Sequence, residues 1–139
     1  MSINSALLSF LFLGVGVVVV VAQAPATIKS TAVVKTTTTM AGQPLVYPTE
    51  KPQVVVNVAE IPPGAMTPRH KHPGVRYTYV LEGALVIEME GGMTHNYPVG
   101  TFIIEAIDQW HVGKNVGSTP AKVLVVDHVT EGGSNLITQ

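Results

Sequence analysis

A succession of short β-branched segments, each closed by a proline or glycine turn, most constrains the fold of this chain. From residue 28 onward the segments follow one another closely, and none has the apolar spacing of an amphipathic helix. Val, Ile and Thr favour strands, whereas Pro and Gly favour the turns between them. The pattern predicts an all-β sandwich or barrel. Its strands are expected at 28–39, 54–61, 75–82, 84–90, 93–97, 101–105, 110–115 and 121–130.

The first residues have a different character. An apolar run from Leu7 to Ala22 leads into an Ala-Gln-Ala sequence that ends at Ala24, before Pro25, and the first charged side chain is Lys29. Such a run closed by small residues predicts a secretory signal peptide cleaved after Ala24. The alternatives are an uncleaved membrane anchor, for which the run is short, and a buried strand. We therefore expect a periplasmic or secreted protein, membrane-anchored if the leader is retained.

The remaining length suits one domain. We divide the chain into a signal peptide (1–24), an N-terminal strand and loop (25–53), a β-barrel (54–131) and a C-terminal tail (132–139). The formal charge is −1, so neither nucleic acid nor an acidic membrane surface is expected as a partner after signal cleavage. The chain has no cysteine, which excludes disulfides and thiolate metal ligands.

Two histidines separated by one residue are the main candidates for chemistry. If their segment is a strand, His70 and His72 project from one face. Neutral imidazole is the commonest metal ligand in proteins, and His111 is the candidate for a third. The alternative is a pair of solvated histidines in a basic turn, because short motif matches are often accidental.

The residues around the histidine pair resemble the first motif of the cupin superfamily. That motif is Gly-x5-His-x-His-x3-4-Glu-x6-Gly, and this chain has Gly64-x5-His70-x-His72-x3-Arg76-x6-Gly83. Every spacing agrees. One residue type does not, since Arg76 stands where cupins usually carry a metal-binding Glu.

A second segment is similar to the other cupin motif, Gly-x5-Pro-x-Gly-x2-His-x3-Asn. Here the chain has Gly100-x5-Ala106-x-Asp108-x2-His111-x3-Asn115, with Ala in place of the Pro and Asp in place of the second Gly. The resemblance covers residues 54–130 and is to small, single-domain cupins that bacteria export. Two spaced motifs are much more specific than one.

The resemblance implies a jelly-roll barrel of six to eight strands that holds a metal through His70, His72 and His111. Three imidazoles suit one divalent transition metal, Fe, Mn, Zn, Ni or Cu. The protein would then act on or bind a small organic molecule, and family habit favours a homodimer. A metal-dependent dioxygenase is the first class expected, and an isomerase or decarboxylase the second. The alternatives are a non-catalytic cupin that binds a small ligand or a metal, and a structural domain with no site.

Three further residues are pocket candidates. Arg76 cannot ligate a cation, so it would pair with a carboxylate such as Glu105 or Glu88, hold a substrate carboxylate, or mark a site without metal. Glu105 is a candidate fourth ligand or a partner of a ligating histidine, with a simple turn carboxylate as the alternative. Tyr77 would line the pocket or belong to the core.

Overall fold

A computed structural model describes residues 27–139, and every regular element in that part of the chain is a β-strand. The strands are β1 (Pro52–Ile61), β2 (His70–Lys71), β3 (Arg76–Glu82), β4 (Ala84–Met89), β5 (Thr94–Pro98), β6 (Phe102–Ile104), β7 (His111–Lys114), β8 (Ala121–Thr130) and β9 (Ile137–Thr138). The predicted signal peptide over 1–24 lies outside the described residues. Within 27–139 no helix has the length and apolar character needed to span a membrane.

The nine strands form two antiparallel sheets. One has the order β1-β8-β3-β6 and the other β5-β4-β7-β2-β9. The all-β prediction is confirmed. The predicted closed barrel is not formed, because no strand ladder joins the two sheets within residues 27–139.

The core lies between the sheets and follows from the alternation of side chains along the strands. In β8, Val123 and Val125 point inward and are buried, while Leu124 between them is half-buried. Leu85 and Ile87 of β4 pack against them from the other sheet. The turn between β3 and β4 requires glycine, since Gly83 has a φ of +67° and a Cβ there would lie 2.7 Å from a backbone oxygen.

Strand β1 is an edge strand that pairs only with β8. Its outward row, Val54, Val56 and Val58, is more than half exposed. An apolar edge strand with unpaired backbone groups can pair with another chain.

At the ends of the domain, one predicted strand is wrong and the prediction for the tail is incomplete. Residues 28–39 form no strand, and only an isolated bridge between Thr38 and Pro44 marks the segment. The predicted tail over 132–139 contains β9, which pairs with β2 so that Thr138 lies opposite His70. The C-terminal segment therefore packs directly against the strand that carries the first candidate ligand.

Candidate metal centre

Three histidines come together where β2 and β7 pair. His70 lies opposite His111, and His72 follows at the end of β2. Their ring centroids are 4.4 to 5.0 Å apart, and the side chains are 7%, 0% and 3% exposed for His70, His72 and His111. One ring nitrogen from each lies within 4.8 Å of the others. The structure thus brings together the three residues that the sequence selected.

The three rings are oriented by main-chain carbonyls. His70 Nδ1 lies 2.8 Å from the carbonyl oxygen of Pro68, His72 Nδ1 lies 2.7 Å from that of Asn135, and His111 Nδ1 lies 2.9 Å from that of Gln109. A carbonyl oxygen only accepts hydrogen bonds, so each Nδ1 carries the proton. In the neutral rings, each Nε2 then keeps a free lone pair, which is the arrangement of a metal-ligating histidine.

Glu105 supplies an oxygen beside two of these nitrogens. Its Oε2 lies 3.2 Å from His72 Nε2 and 3.2 Å from His111 Nε2. Its other oxygen, Oε1, accepts a hydrogen bond from the Thr78 hydroxyl. The residue directly follows β6 and is 6% exposed, so neither carboxylate oxygen is freely hydrated.

These distances fit a metal better than a hydrogen bond. Within the described residues, neither His72 Nε2 nor His111 Nε2 has a hydrogen-bond partner, although Oε2 of Glu105 lies 3.2 Å from each. Leaving two buried nitrogens unpaired is costly. Two ligand atoms that each lie about 2.1 Å from one ion, at tetrahedral or octahedral angles, are about 3.0–3.4 Å apart. The nitrogen and oxygen donors therefore fit a divalent transition metal.

The protonation states of His70 and Glu105 agree with this use, whereas His111 has to lose a proton before it can bind a metal. Burial, with the neighbouring His111 and His72 rings, lowers the pKa of His70 from 6.5 to about 4. Burial alone would raise the pKa of Glu105, but His111 and His72 hold it well below its ordinary range. Burial alone would lower the pKa of His111, whereas the Glu105 carboxylate raises it above its ordinary value. At neutral pH, His70 is neutral and Glu105 is ionised, as ligands must be.

Arg76 does not take the place of the usual cupin glutamate. It lies opposite Asp127 on the paired strands β3 and β8, and its Nε and Nη2 donate to Asp127 Oδ1 and Oδ2, each at 2.8 Å. The predicted ion pair is present, but the predicted partners are wrong. Glu105 lies beside the histidines, and Glu88 pairs with Lys114. Asp127 could not be identified as the partner from the sequence, because it lies 51 residues from Arg76 along the chain.

Asn135 is a site residue that the sequence analysis missed. Its main-chain carbonyl accepts the bond from His72, and its side-chain Nδ2 donates to Asp127 Oδ1 at 2.7 Å. Its Oδ1 accepts from the Gly74 amide, also at 2.7 Å. No motif marks this residue, because its role depends on the return of the C-terminal segment across β2.

Tyr77 lies away from the histidines. It alternates with the inward residues Arg76 and Thr78, so it projects from the opposite face of β3, where it packs against Phe102 and His128. Burial and a hydrogen bond with Tyr47 raise the pKa of Tyr77 to about 12. It is not among the residues that line the cavity beside His70 and His111.

Two other residues of the second motif, Asp108 and Asn115, fix the turns around His111. Asp108 stands where that motif has its second Gly and adopts a left-handed φ of +54°, which Asp tolerates better than most residues. Asn115 is 2% exposed, and its side chain bonds to the main chain of Ile61, Gly117 and Thr119. The turns on both sides of His111 are thereby fixed.

A cavity of about 100 Å³ adjoins the histidines. Its polar wall is formed by His70, His111, Glu105, Arg76 and Thr78. The rest of the wall is almost entirely apolar and is formed by Ala59, Ile61, Thr67, Leu85, Ile87, Gly113, Val123 and Val125. This space holds a few water molecules or one small organic molecule.

Comparison with known proteins agrees with the two motifs. The profile of the cupin domain matches residues 57–127, just over half of the chain. No curated protein matches the chain.

Several solved structures share the fold. They include oxalate oxidase in complex with the substrate analogue glycolate (22% identity, TM-score 0.51, covering 61% of this chain and 45% of that one). The DMSP lyase DddQ from Ruegeria pomeroyi is similar as well (20%, 0.53, 62% and 43%). So is Bacillus subtilis oxalate decarboxylase, described for its Mn(II) centres (21%, 0.52, 61% and 23%). This chain spans less than half of each of those three chains, and at these identities the similarity concerns the fold.

Proposed function

The chain belongs to the cupin superfamily, and on that premise we propose that it is an exported metal-binding cupin that acts on or binds a small organic molecule. His70, His72 and His111 hold one divalent transition metal. The observation that carries the proposal is the common orientation of the three rings. Each Nδ1 bonds to a carbonyl, which leaves three Nε2 lone pairs in one buried place.

Glu105 is the fourth protein ligand. Its Oε2 is at ligand-to-ligand distance from two of the nitrogens, and Thr78 holds its other oxygen in place. Three imidazoles and one carboxylate suit Mn or Fe, with Zn, Ni and Cu as the other candidates. Mn(II) centres are described for the structurally similar oxalate decarboxylase.

The cavity beside the histidines is the binding place of the small molecule. A metal held there supplies Lewis-acid or O2 chemistry. The protein's own part is to orient the molecule against the polar wall and to exclude water with the apolar one. A dioxygenase is the first class proposed and an isomerase or decarboxylase the second. Glu105 is the only carboxylate on the cavity wall within the described residues, and a ligating carboxylate is a poor general base. This observation favours the non-catalytic binding cupin as the second candidate function.

Elemental analysis of protein purified without chelator tests the proposal. Wild type should carry about one transition metal per chain, and His70→Ala, His72→Ala and His111→Ala should each lose most of it. Ligands of one metal are coupled, so the double change His70→Ala/His111→Ala should add little. His95→Ala is the matched control, since His95 lies in β5 and outside the histidine group. Full occupancy in His111→Ala would rule out this ligand set.

We also propose a homodimer that functions outside the cytoplasm. Support for the dimer is the exposed apolar row of the edge strand β1, and support for export is the apolar run before Pro25. Light scattering of the purified protein and N-terminal sequencing of the exported chain test these two points. A monomer, or an intact Met1 in the membrane fraction, would contradict them.

A further inference from the structure

The Arg76 guanidinium has N–H donors that are not used in its ion pair with Asp127. Two of its five N–H groups bind Asp127, and within residues 27–139 its Nη1 makes no hydrogen bond. The residue lines the cavity together with His70, His111 and Glu105. A guanidinium with free N–H groups on a cavity wall is a binding group for a carboxylate.

The guanidinium is held rigidly. Asp127 binds it through both oxygens at 2.8 Å, and the Asn135 amide fixes Asp127 in turn at 2.7 Å. The Arg76 and Asp127 side chains are 15% and 6% exposed. A group fixed in this way loses little conformational entropy when a ligand binds, so its remaining donors are preorganised.

The charges around the cavity favour one negative charge on the ligand. Arg76 and Asp127 cancel each other, and Glu105 removes one of the two charges of a divalent ion. The other residues of the cavity wall are uncharged at neutral pH when the histidines are ligands. The net charge of the loaded site is therefore +1, which a monoanion neutralises and a dianion would reverse.

The size and polarity of the cavity restrict the class of ligand further. The cavity measures about 100 Å³, well below the ~300–1,000 Å³ of pockets for drug-sized ligands. The rest of the wall consists mainly of apolar side chains, including Leu85, Ile87 and Val125. Such a wall accepts a short apolar group of the ligand, but it offers no hydrogen-bond or ionic partner to a second charged group.

We propose that the site binds a small monocarboxylate with a short apolar group, its carboxylate held by Arg76 next to the metal. This inference rests on the proposed function and names the ligand class of the same site. It also gives the departure from the cupin motif at residue 76 a purpose, since the glutamate found there in other cupins could not bind an anion.

The test is a titration of Zn2+-loaded protein with acetate, followed by NMR, with acetamide as the uncharged probe of the same shape. Acetate should bind at least about tenfold more tightly than acetamide. The variant Arg76→Gln/Asp127→Asn removes the guanidinium but leaves both the net charge and a hydrogen-bonded pair, and it should lose at least about tenfold in acetate affinity. Glu82→Gln/Lys122→Gln neutralises another cross-strand pair of β3 and β8 and should bind acetate as wild type does.

Zinc content, measured for each protein, separates this inference from the proposed function. Equal acetate affinity in wild type and in Arg76→Gln/Asp127→Asn, both loaded with zinc, overturns the inference and leaves the metal centre standing. If wild type takes up no metal, the proposed function fails. The same titration on the metal-free proteins then decides, since only binding that depends on Arg76 supports the carboxylate site. Should the double variant not fold, Arg76→Lys keeps the ion pair but loses the planar donors, and the same loss is expected.

Discussion

Replacing Glu105 by glutamine tests whether this carboxylate is a metal ligand. The change keeps the size and shape of the side chain and removes only its charge and one oxygen donor. In the structure, Oε2 lies 3.2 Å from both His72 Nε2 and His111 Nε2, the spacing of two ligands of one ion. Loss of a group that only supports a ligand typically costs ~10–100-fold in metal affinity. Loss of the ligand itself should therefore cost more than ~100-fold, or ~2.7 kcal/mol.

The metal-free protein should respond differently. In Glu105→Gln the amide oxygen can still accept the bond from Thr78, and the amide nitrogen can donate to one of the unpaired Nε2 atoms. The ionised carboxylate beside the two rings also stabilises the metal-free protein, so we expect its free energy of unfolding to fall by ~1.5–3 kcal/mol. A loss of metal-binding free energy in addition to this loss of stability is the signature of a ligand.

Competition with a chromophoric chelator measures the metal affinity, and urea unfolding of the metal-free protein measures the stability. Glu88→Gln is the matched control, because Glu88 is a half-exposed carboxylate that pairs with Lys114 and is not part of the histidine group. A loss of less than ~100-fold in Glu105→Gln would refute the assignment as a ligand. A loss of ~10–100-fold would mean that Glu105 only orients the rings.

Three further outcomes follow from the same contacts. Asn135→Ala leaves Asp127 and the Gly74 amide short of a partner, so it should cost ~3–4 kcal/mol in urea unfolding and weaken metal binding ~10-fold through His72. Arg76→Glu places a second carboxylate against buried Asp127, so it should lower the free energy of unfolding by ~3–5 kcal/mol without raising the metal affinity. A higher metal affinity in this variant would mean that the usual cupin ligand set had been restored, and it would contradict the prediction. Metal affinity should fall ~10-fold per pH unit below the raised pKa of His111, since that proton must leave before the metal binds. Chelator competition at a series of pH values measures this dependence, and an affinity that does not change with pH would contradict it.

Most strands between Pro52 and Thr130 were predictable because their evidence is local. Alternation along β4 and β8, with a turn residue after each strand, identifies strands whatever they pair with. The Thr-rich segment 28–39 has the same propensity, but its only ladder contact is the single bridge between Thr38 and Pro44, so propensity alone predicted a strand where none forms. Strand β9 is only two residues long, and no local pattern marks an element that exists solely through its contact with β2.

The sequence by itself determined the fold class and the three histidines. Spacing alone put His70 and His72 on one face, and the second motif selected His111, since both depend on residues close along the chain. The tertiary structure decided the rest of the site. It set Glu105 beside two of the histidines, paired Arg76 with Asp127, and brought Asn135 against His72. These contacts depend on strand pairing and on the return of the C-terminal segment, and the one between His72 and Asn135 spans 63 residues. No local pattern encodes that register, so only the paired sheets bring the partners within hydrogen-bond distance.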